Sequence, residues 1–347
     1  MKEKVRIGII GSGFMGRTNA ETVTRYLERA ELASVAGGSR APALAAEYGV
    51  TCAASVDALL DRDDIDAVLI STPHAEHCSQ AVAAAQRGKH ILLDKPMAAT
   101  VEECDRILEA VRAARVKLMI MFGQRFRICN IEARRLIREG AIGKVKMILE
   151  LILASGGLQT LPPWQSRAEN YGPFLGHAVH NLDRIRWLTG AEFTSVSAQV
   201  QCDAATGNEV STMALFGLST GAAATVWESW DLAPPAFPRS ASGAWIVGET
   251  GNLDLDAYGQ LRLGKNKEWT VVAEQPPIDW QGQGMLSPVR MQAYRDQHQE
   301  FVNSILEDRE PPVTGVDGRA AVEAAQAAYR SAAEGITIPL RAKENAQ

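Results

Sequence analysis

The chain has 347 residues, of which 46% are hydrophobic and 22% charged, with a formal net charge of −5. That length predicts two domains around separate cores, and the composition is that of an ordinary globular protein. The negative balance argues against a general nucleic-acid or anionic-membrane footprint, and no window approaches the ~20 apolar residues of a membrane span.

Charged Lys2, Glu3 and Lys4 precede the first apolar run directly, an expectation of no secretion signal. Cys52, Cys78, Cys104, Cys129 and Cys202 form no C-x-x-C pair. They predict a reducing, cytoplasmic setting and no cysteine metal site.

Val5 to Ile10 is a short run rich in β-branched residues and predicts a buried parallel strand. Gly11-Ser12-Gly13-Phe14-Met15-Gly16 follows, then a proline-free stretch from Arg17 to Arg29. Strand, G-x-G-x-x-G and helix together suit a dinucleotide. Gly11 permits the tight turn, Gly13 lets the backbone approach a pyrophosphate, and Gly16 lets helix and strand pack closely. The free N–H groups and positive end of the helix then face the phosphates.

Leu32 to Ala36 predicts a second strand and Arg40 to Tyr48 a short helix. Where an acid often binds the NAD ribose, the chain reads Gly37-Gly38-Ser39-Arg40. Arg40 there can pair with a 2′-phosphate and Ser39 can donate to it, which favours NADP over NAD. Asp66 to Ser71 predicts a strand, followed by Thr72-Pro73-His74-Ala75-Glu76-His77 and a helix from Glu76 to Arg87. That loop is expected at the carboxyl edge beside the nicotinamide ribose; its two histidines lack a third partner for a metal.

His90 to Leu93 predicts the next strand, ending at Asp94-Lys95-Pro96, where Lys95 can stabilise a substrate oxygen as hydride leaves. Thr100 and Glu103 form a capping box, and Lys117 to Phe122 predicts one more strand. Alternating βα units imply a doubly wound parallel sheet of the Rossmann kind over residues 1–123.

After about Gly123 the pattern changes. A helix is expected from Ile131 to Glu139, an apolar strand from Val145 to Ala154, and a helix from Leu175 to Leu188. Strands are expected over 193–201, 209–216, 222–230, 244–247 and 253–256, then helices over 291–306 and 319–334. Consecutive strands predict an α+β domain over residues 124–347, with a large, mostly antiparallel open sheet and flanking helices. His177, His180 and Asp183 share a helix face, so His180 can serve as general base with Asp183 orienting it or capping structure elsewhere.

With these motifs on the page, the chain resembles the Gfo/Idh/MocA family over Val5 to about Leu340. The resemblance rests on Gly11–Gly16, Thr72-Pro73 with His77, Gly88 to Pro96, Gly140-Ala141-Ile142-Gly143, His180-Asn181-Leu182-Asp183, and Trp187-Leu188-Thr189-Gly190. It implies reversible oxidation of a secondary hydroxyl on a sugar, inositol or related polyol, with Lys95 and His180 acting together. It also implies a homodimer or homotetramer formed through the second-domain sheet, and Val145 to Ala154 suits such burial. Gln124, Arg125, Trp164, Arg167, His177 and Asn181 are the expected substrate contacts.

Two departures stand out. The family's E-K-P is Asp94-Lys95-Pro96 here, and its aspartate four residues before the catalytic histidine is Gly176. His177 can take over that contact, although one residue on a helix turns a side chain by about 100°. An NADP-dependent reductase of a non-sugar substrate, such as a dihydrodiol or imine, and a non-catalytic NADP-binding sensor remain as alternatives.

Overall fold

The computed structural model describes residues 3–157, 160–166, 172–235, 237, 242–279 and 281–340. The chain divides into two units. One comprises residues up to Gly123 with Ile278–Arg319, and the other comprises Gln124–Pro277 with Ala320 onward.

In the first unit the elements run β1 (Val5–Ile10), α1 (Phe14–Arg25), β2 (Ala30–Ala36), α2 (Ala41–Glu47), β3 (Thr51–Cys52), α3 (Val56–Leu60), β4 (Ala67–Ile70) and α4 (His74–Gln86). They continue with β5 (His90–Leu93), α5 (Val101–Ala114) and β6 (Leu118–Ile120). The sheet order is β3-β2-β1-β4-β5-β6, all parallel. Every residue of β4 is buried, as the unbroken apolar run requires of a strand covered on both faces. Strand order reverses between β1 and β4, so their carboxyl ends frame the crevice where such sheets bind ligands.

Thr100 Oγ1 accepts the Glu103 N–H at 3.2 Å, and Glu103 Oε2 accepts from the Ala99 N–H at 3.1 Å. The box is therefore shifted by one residue at its returning bond. The two-residue edge strand β3 is too short to leave a periodic signal.

The second unit holds α6 (Ile128–Arg138), β7 (Val145–Ser155), a π-helical turn (Phe174–Ala178), α7 (Val179–Thr189), β8 (Phe193–Cys202), β9 (Glu209–Leu218) and β10 (Ala223–Leu232). It continues through β11 (Ser242–Gly248), β12 (Asn252–Asp256), β13 (Gln260–Lys265) and β14 (Glu268–Glu274). The helix α8 (Pro288–Leu306) precedes α9 (Gly315–Glu334) and β15 (Ile338–Pro339).

Nine strands form one sheet in the order β14-β13-β12-β11-β7-β10-β9-β8-β15, antiparallel except for the β7–β10 pair. Strands β13 and β14 lengthen the expected sheet; residues 268–271 of β14 are exposed, so it lacks the buried alternation that marks a strand in sequence. Helix α8, expected from sequence within the second domain, packs instead on α1, β1 and β5 in the first unit. Its buried Met291, Phe301 and Val302 explain why. Among the described residues no helix is long and apolar enough to cross a membrane.

Candidate active site

The glycine loop is built by space as much as by conformation. Gly11 has φ +108°, and a Cβ there would lie 2.5 Å from the Ser71 carbonyl oxygen. Its N–H donates to Ala36 O at 2.8 Å, so one residue ties the ends of β1, β2 and β4. A Cβ on Gly16 would sit 2.1 Å from Gly11 O. Gly13 is different: φ is −77°, and a Cβ would meet only Arg40 Nη2, at 3.6 Å. Open space above Gly13, an uncapped helix start and no acid in the first turn of α1 suit a phosphate. Phe14 is exposed beneath the Arg290 guanidinium, 4.9 Å from its ring centre, and Met15 is half-buried.

At the end of β2, Gly37 and Gly38 take φ of +82° and +80°, and Ser12 Oγ donates to Gly37 O at 2.9 Å. Ser39 and Arg40 are exposed. The nearest following acid, Glu47, is taken by Arg17 at 2.7 Å.

The loop after β4 corrects one expectation. His77 is fully buried, with Nδ1 2.8 Å from Pro96 O and Nε2 2.9 Å from Thr72 O. It pins two carboxyl-edge loops together and has no surface to offer a ribose. Burial lowers its pKa, against the raising effects of Asp94 and of the two carbonyl oxygens it faces. Helix α4 starts at His74, which is buried 5.8 Å from the His77 ring. Thr72 Oγ1 donates to Gln80 Oε1 at 2.7 Å, and Pro73 is half-buried at the helix start.

At the end of β5, Asp94 Oδ1 accepts the Lys95 N–H at 2.8 Å. Burial raises the Asp94 pKa, while the charge of Lys95 and His77 opposes it. The Lys95–Pro96 peptide is cis, and the Lys95 side chain is half-buried.

In the second unit, three expected substrate contacts are engaged within the fold. Arg125 grips buried Asp183 with two bonds, Nε to Oδ2 at 2.8 Å and Nη2 to Oδ1 at 2.5 Å. Asn181 is buried and donates to Glu150 Oε2 at 2.9 Å, while Arg184 closes on the same carboxylate, Nε to Oε1 at 3.0 Å and Nη2 to Oε2. Gln124 is buried: its amide donates to the Tyr258 hydroxyl at 3.3 Å, and its oxygens accept from Asn130 at 2.7 and 3.0 Å. These bonds tie Arg125 to α7, Asn181 to β7, and Gln124 to α6 and Tyr258. Trp164 is half-buried in the short 3-10 turn Pro163–Ser166, and Arg167 lies outside the described residues.

His177 sits in the π turn and His180 in the first turn of α7, both half-buried. A carboxylate holds the start of this segment. Glu209 accepts from the Phe174 N–H at 3.3 Å and from the Tyr329 hydroxyl at 2.6 Å, and that hydroxyl accepts the Leu175 N–H at 3.0 Å. Burial raises the pKa of both Glu209 and Tyr329. Gly172 makes room, since a Cβ there would lie 1.8 Å from Glu209 Oε2.

His177 meets two residues the sequence reading missed. Its Nδ1 lies 3.7 Å from Glu228 Oε1, and its ring lies 4.6 Å from that of Trp230. The available signal was an acid in the middle of an apolar strand, shared by Glu150 and Glu228.

A parallel sheet whose glycine loop suits a phosphate, with a lysine at the same edge, defines a nicotinamide-dependent oxidoreductase. Residues 5–122 match the model of the oxidoreductase family with an NAD-binding Rossmann fold, and residues 131–254 match the GFO/IDH/MocA C-terminal domain. The chain belongs to the Gfo/Idh/MocA family. It is 27% identical to inositol 2-dehydrogenase 2 of Saccharopolyspora erythraea, over 97% of this chain and 95% of that one. It is 29% identical to inositol 2-dehydrogenase of Rhizobium meliloti, over 95% and 97%. The crystal structure of aldose-aldose oxidoreductase from Caulobacter crescentus, complexed with glycerol, superposes with a TM-score of 0.83 at 25% identity, covering 97% of this chain and 100% of that one.

Proposed function

We propose that the chain oxidises, reversibly, a secondary hydroxyl of a sugar, inositol or related polyol, with NADP preferred over NAD. The observation that carries this reading is Lys95, half-buried at the carboxyl end of β5, at the same sheet edge as the glycine loop with only β4 between. A bound nicotinamide supplies the hydride acceptor. His180 takes the hydroxyl proton as general base. Lys95 holds the oxygen and stabilises the charge that builds on it as the proton leaves. The likeness to two inositol dehydrogenases over nearly the whole chain supports a polyhydroxylated ring as substrate.

The NADP preference is supported by Arg40, whose guanidinium reaches the space above Gly13, and by Glu47 being engaged with Arg17. Cofactor contacts are assigned to the backbone at Gly11, Gly13, Phe14, Met15 and Gly16, to Ser39 and Arg40, and to the edge loops at Thr72, Pro73, Asp94 and Lys95.

A pairing with further copies of the chain is supported by the open face of the second sheet. Met147, Leu215, Trp245 and Trp269 are exposed there, and in register Leu215, Thr225, Leu149 and Trp245 share one row. A patch of that kind marks an interface.

The test is nicotinamide reduction over a panel of polyols and sugars with each nucleotide. Turnover with NADP above NAD supports the reading. Nucleotide binding without turnover on any panel member would leave the sensor alternative.

A further inference from the structure

Helix α8 brings a buried cation to the start of α1. Arg290, in the first turn of α8, is only 4% exposed. Its guanidinium carbon lies 4.9 Å from the centre of the Phe14 ring and 4.6 Å from that of Tyr294. Nη1 donates to Met285 O at 2.5 Å and reaches Thr18 Oγ1 at 3.4 Å and Met291 Sδ at 3.8 Å. Nη2 donates to the Tyr294 hydroxyl at 3.1 Å. Every one of these partners is neutral. No described residue accepts from Nε, which leaves one donor of the fork unspent.

Arginine keeps its charge throughout the working pH range, and a buried charge is costly unless an opposite charge meets it. Arg125 and Arg184 meet that condition with Asp183 and Glu150. Around Arg290 the acids are either distant or engaged. Glu21, the one acid of α1, is two turns from Phe14 and is held by Arg25 and Tyr48. On α8, Asp296 is paired with Arg295 and Glu300 with Arg309. What Arg290 does meet is the positive end of α1, whose first turn holds no acid and whose start has no side-chain cap. Two positive features converge there with no protein anion between them.

We propose that Arg290 is a cofactor contact, the counter-charge of the dinucleotide pyrophosphate at the glycine loop. This rests on the nicotinamide nucleotide occupying that loop. Phe14 and Thr18 are one turn apart on the same face of α1, so the guanidinium lies along the very turn whose N–H groups face the phosphates. The planar fork matches phosphate oxygens. The Phe14 ring keeps water from one face of the guanidinium, and a drier charge pulls harder on an anion. The pyrophosphate is common to NAD and NADP, so Arg290 adds affinity for both, while the choice between them falls to Arg40 beside Gly13. Arg290 takes no part in hydride or proton transfer.

The test is calorimetric titration of wild type, Arg290→Met and Arg290→Lys with NADP, NAD, ADP and adenosine 2′-monophosphate, together with Tm measured with and without NADP. Arg290→Met is expected to weaken NADP, NAD and ADP alike, by about tenfold or more, the scale of a lost hydrogen bond to a charged group. The NADP to NAD ratio stays as in wild type. Adenosine 2′-monophosphate, which has no pyrophosphate, binds both proteins within about twofold. Arg290→Lys keeps the charge without the fork and falls between the two. Without nucleotide, Arg290→Met melts no lower than wild type, because the methionine removes an unmet charge, whereas its gain in Tm from NADP shrinks. Unchanged affinity for NADP, NAD and ADP overturns the proposal. So does a lowered Tm without nucleotide beside an undiminished gain from NADP, the pattern of a guanidinium that serves the fold alone. If Arg290→Met does not fold, Arg290→Lys decides by the same affinities. Failure of wild type to bind any of the three pyrophosphate compounds would instead overturn the reading of the glycine loop, and this proposal with it.

Discussion

Arg125 and Asp183 form a buried, forked ion pair that joins the 3-10 turn Gly123–Phe126, just before α6, to the middle of α7, at 2.8 and 2.5 Å. Asp183 is fully buried and Arg125 nearly so. Removing one partner strands the other charge away from water, which costs about 3–5 kcal/mol. Arg125→Ala is therefore expected to lower the denaturant midpoint sharply. An unchanged midpoint with a raised KM would return Arg125 to the role of substrate ligand.

Two glycines of the loop should separate by experiment. Gly16→Ala drives a methyl to 2.1 Å from a backbone oxygen and is expected to destabilise the fold, read as a lower Tm. Gly13→Ala keeps an ordinary φ and has room, so its Tm should match wild type. Its methyl occupies the approach of the pyrophosphate, and nucleotide affinity should fall about tenfold or more, ~1.4 kcal/mol. Full affinity in Gly13→Ala would remove the phosphate from this loop.

These glycines were legible in the sequence because turn, close approach and helix start all act within six neighbouring residues. The position of Lys95 at the sheet edge was legible too, because it follows directly on a buried strand. The roles of Arg125, Asn181 and Gln124 were not, since their partners Asp183, Glu150 and Tyr258 arrive from distant segments. Polar residues near a site look alike in sequence whether they face a substrate or hold two helices together. Glu228 escaped notice because its partner His177 lies in a π turn, whose spacing departs from the helical period. His77 misled because its position beside Thr72-Pro73 is local while its burial, under Pro96, is not.

Arg40→Asp is expected to invert the nucleotide preference. Arginine beside Gly13 favours a 2′-phosphate, whereas a carboxylate there repels it and accepts from a ribose hydroxyl. The ratio of kcat/KM values for NADP and NAD checks this, and an unchanged ratio would contradict the assignment.

Stability should fall with acid through His298. This ring is buried on α8, donates its Nε2–H to Asn19 Oδ1 at 3.0 Å, and is pushed down by burial from 6.5 to about 3. Below its unfolded pKa the unfolded chain binds a proton that the folded chain refuses. Stability is therefore full above about pH 6.5 and is lost as pH falls toward 3, by up to ~1.4 kcal/mol per pH unit. His298→Gln should flatten that part of the profile. Parallel profiles for wild type and variant would contradict the buried neutral ring.

The most direct measurement of the central claim is nicotinamide reduction by wild type and His180→Ala over the same polyol panel, with nucleotide binding measured in parallel. The account predicts turnover by wild type and a loss of at least about a hundredfold in kcat for His180→Ala, the scale of a missing general base, at unchanged nucleotide affinity. Equal turnover by the two proteins would contradict it.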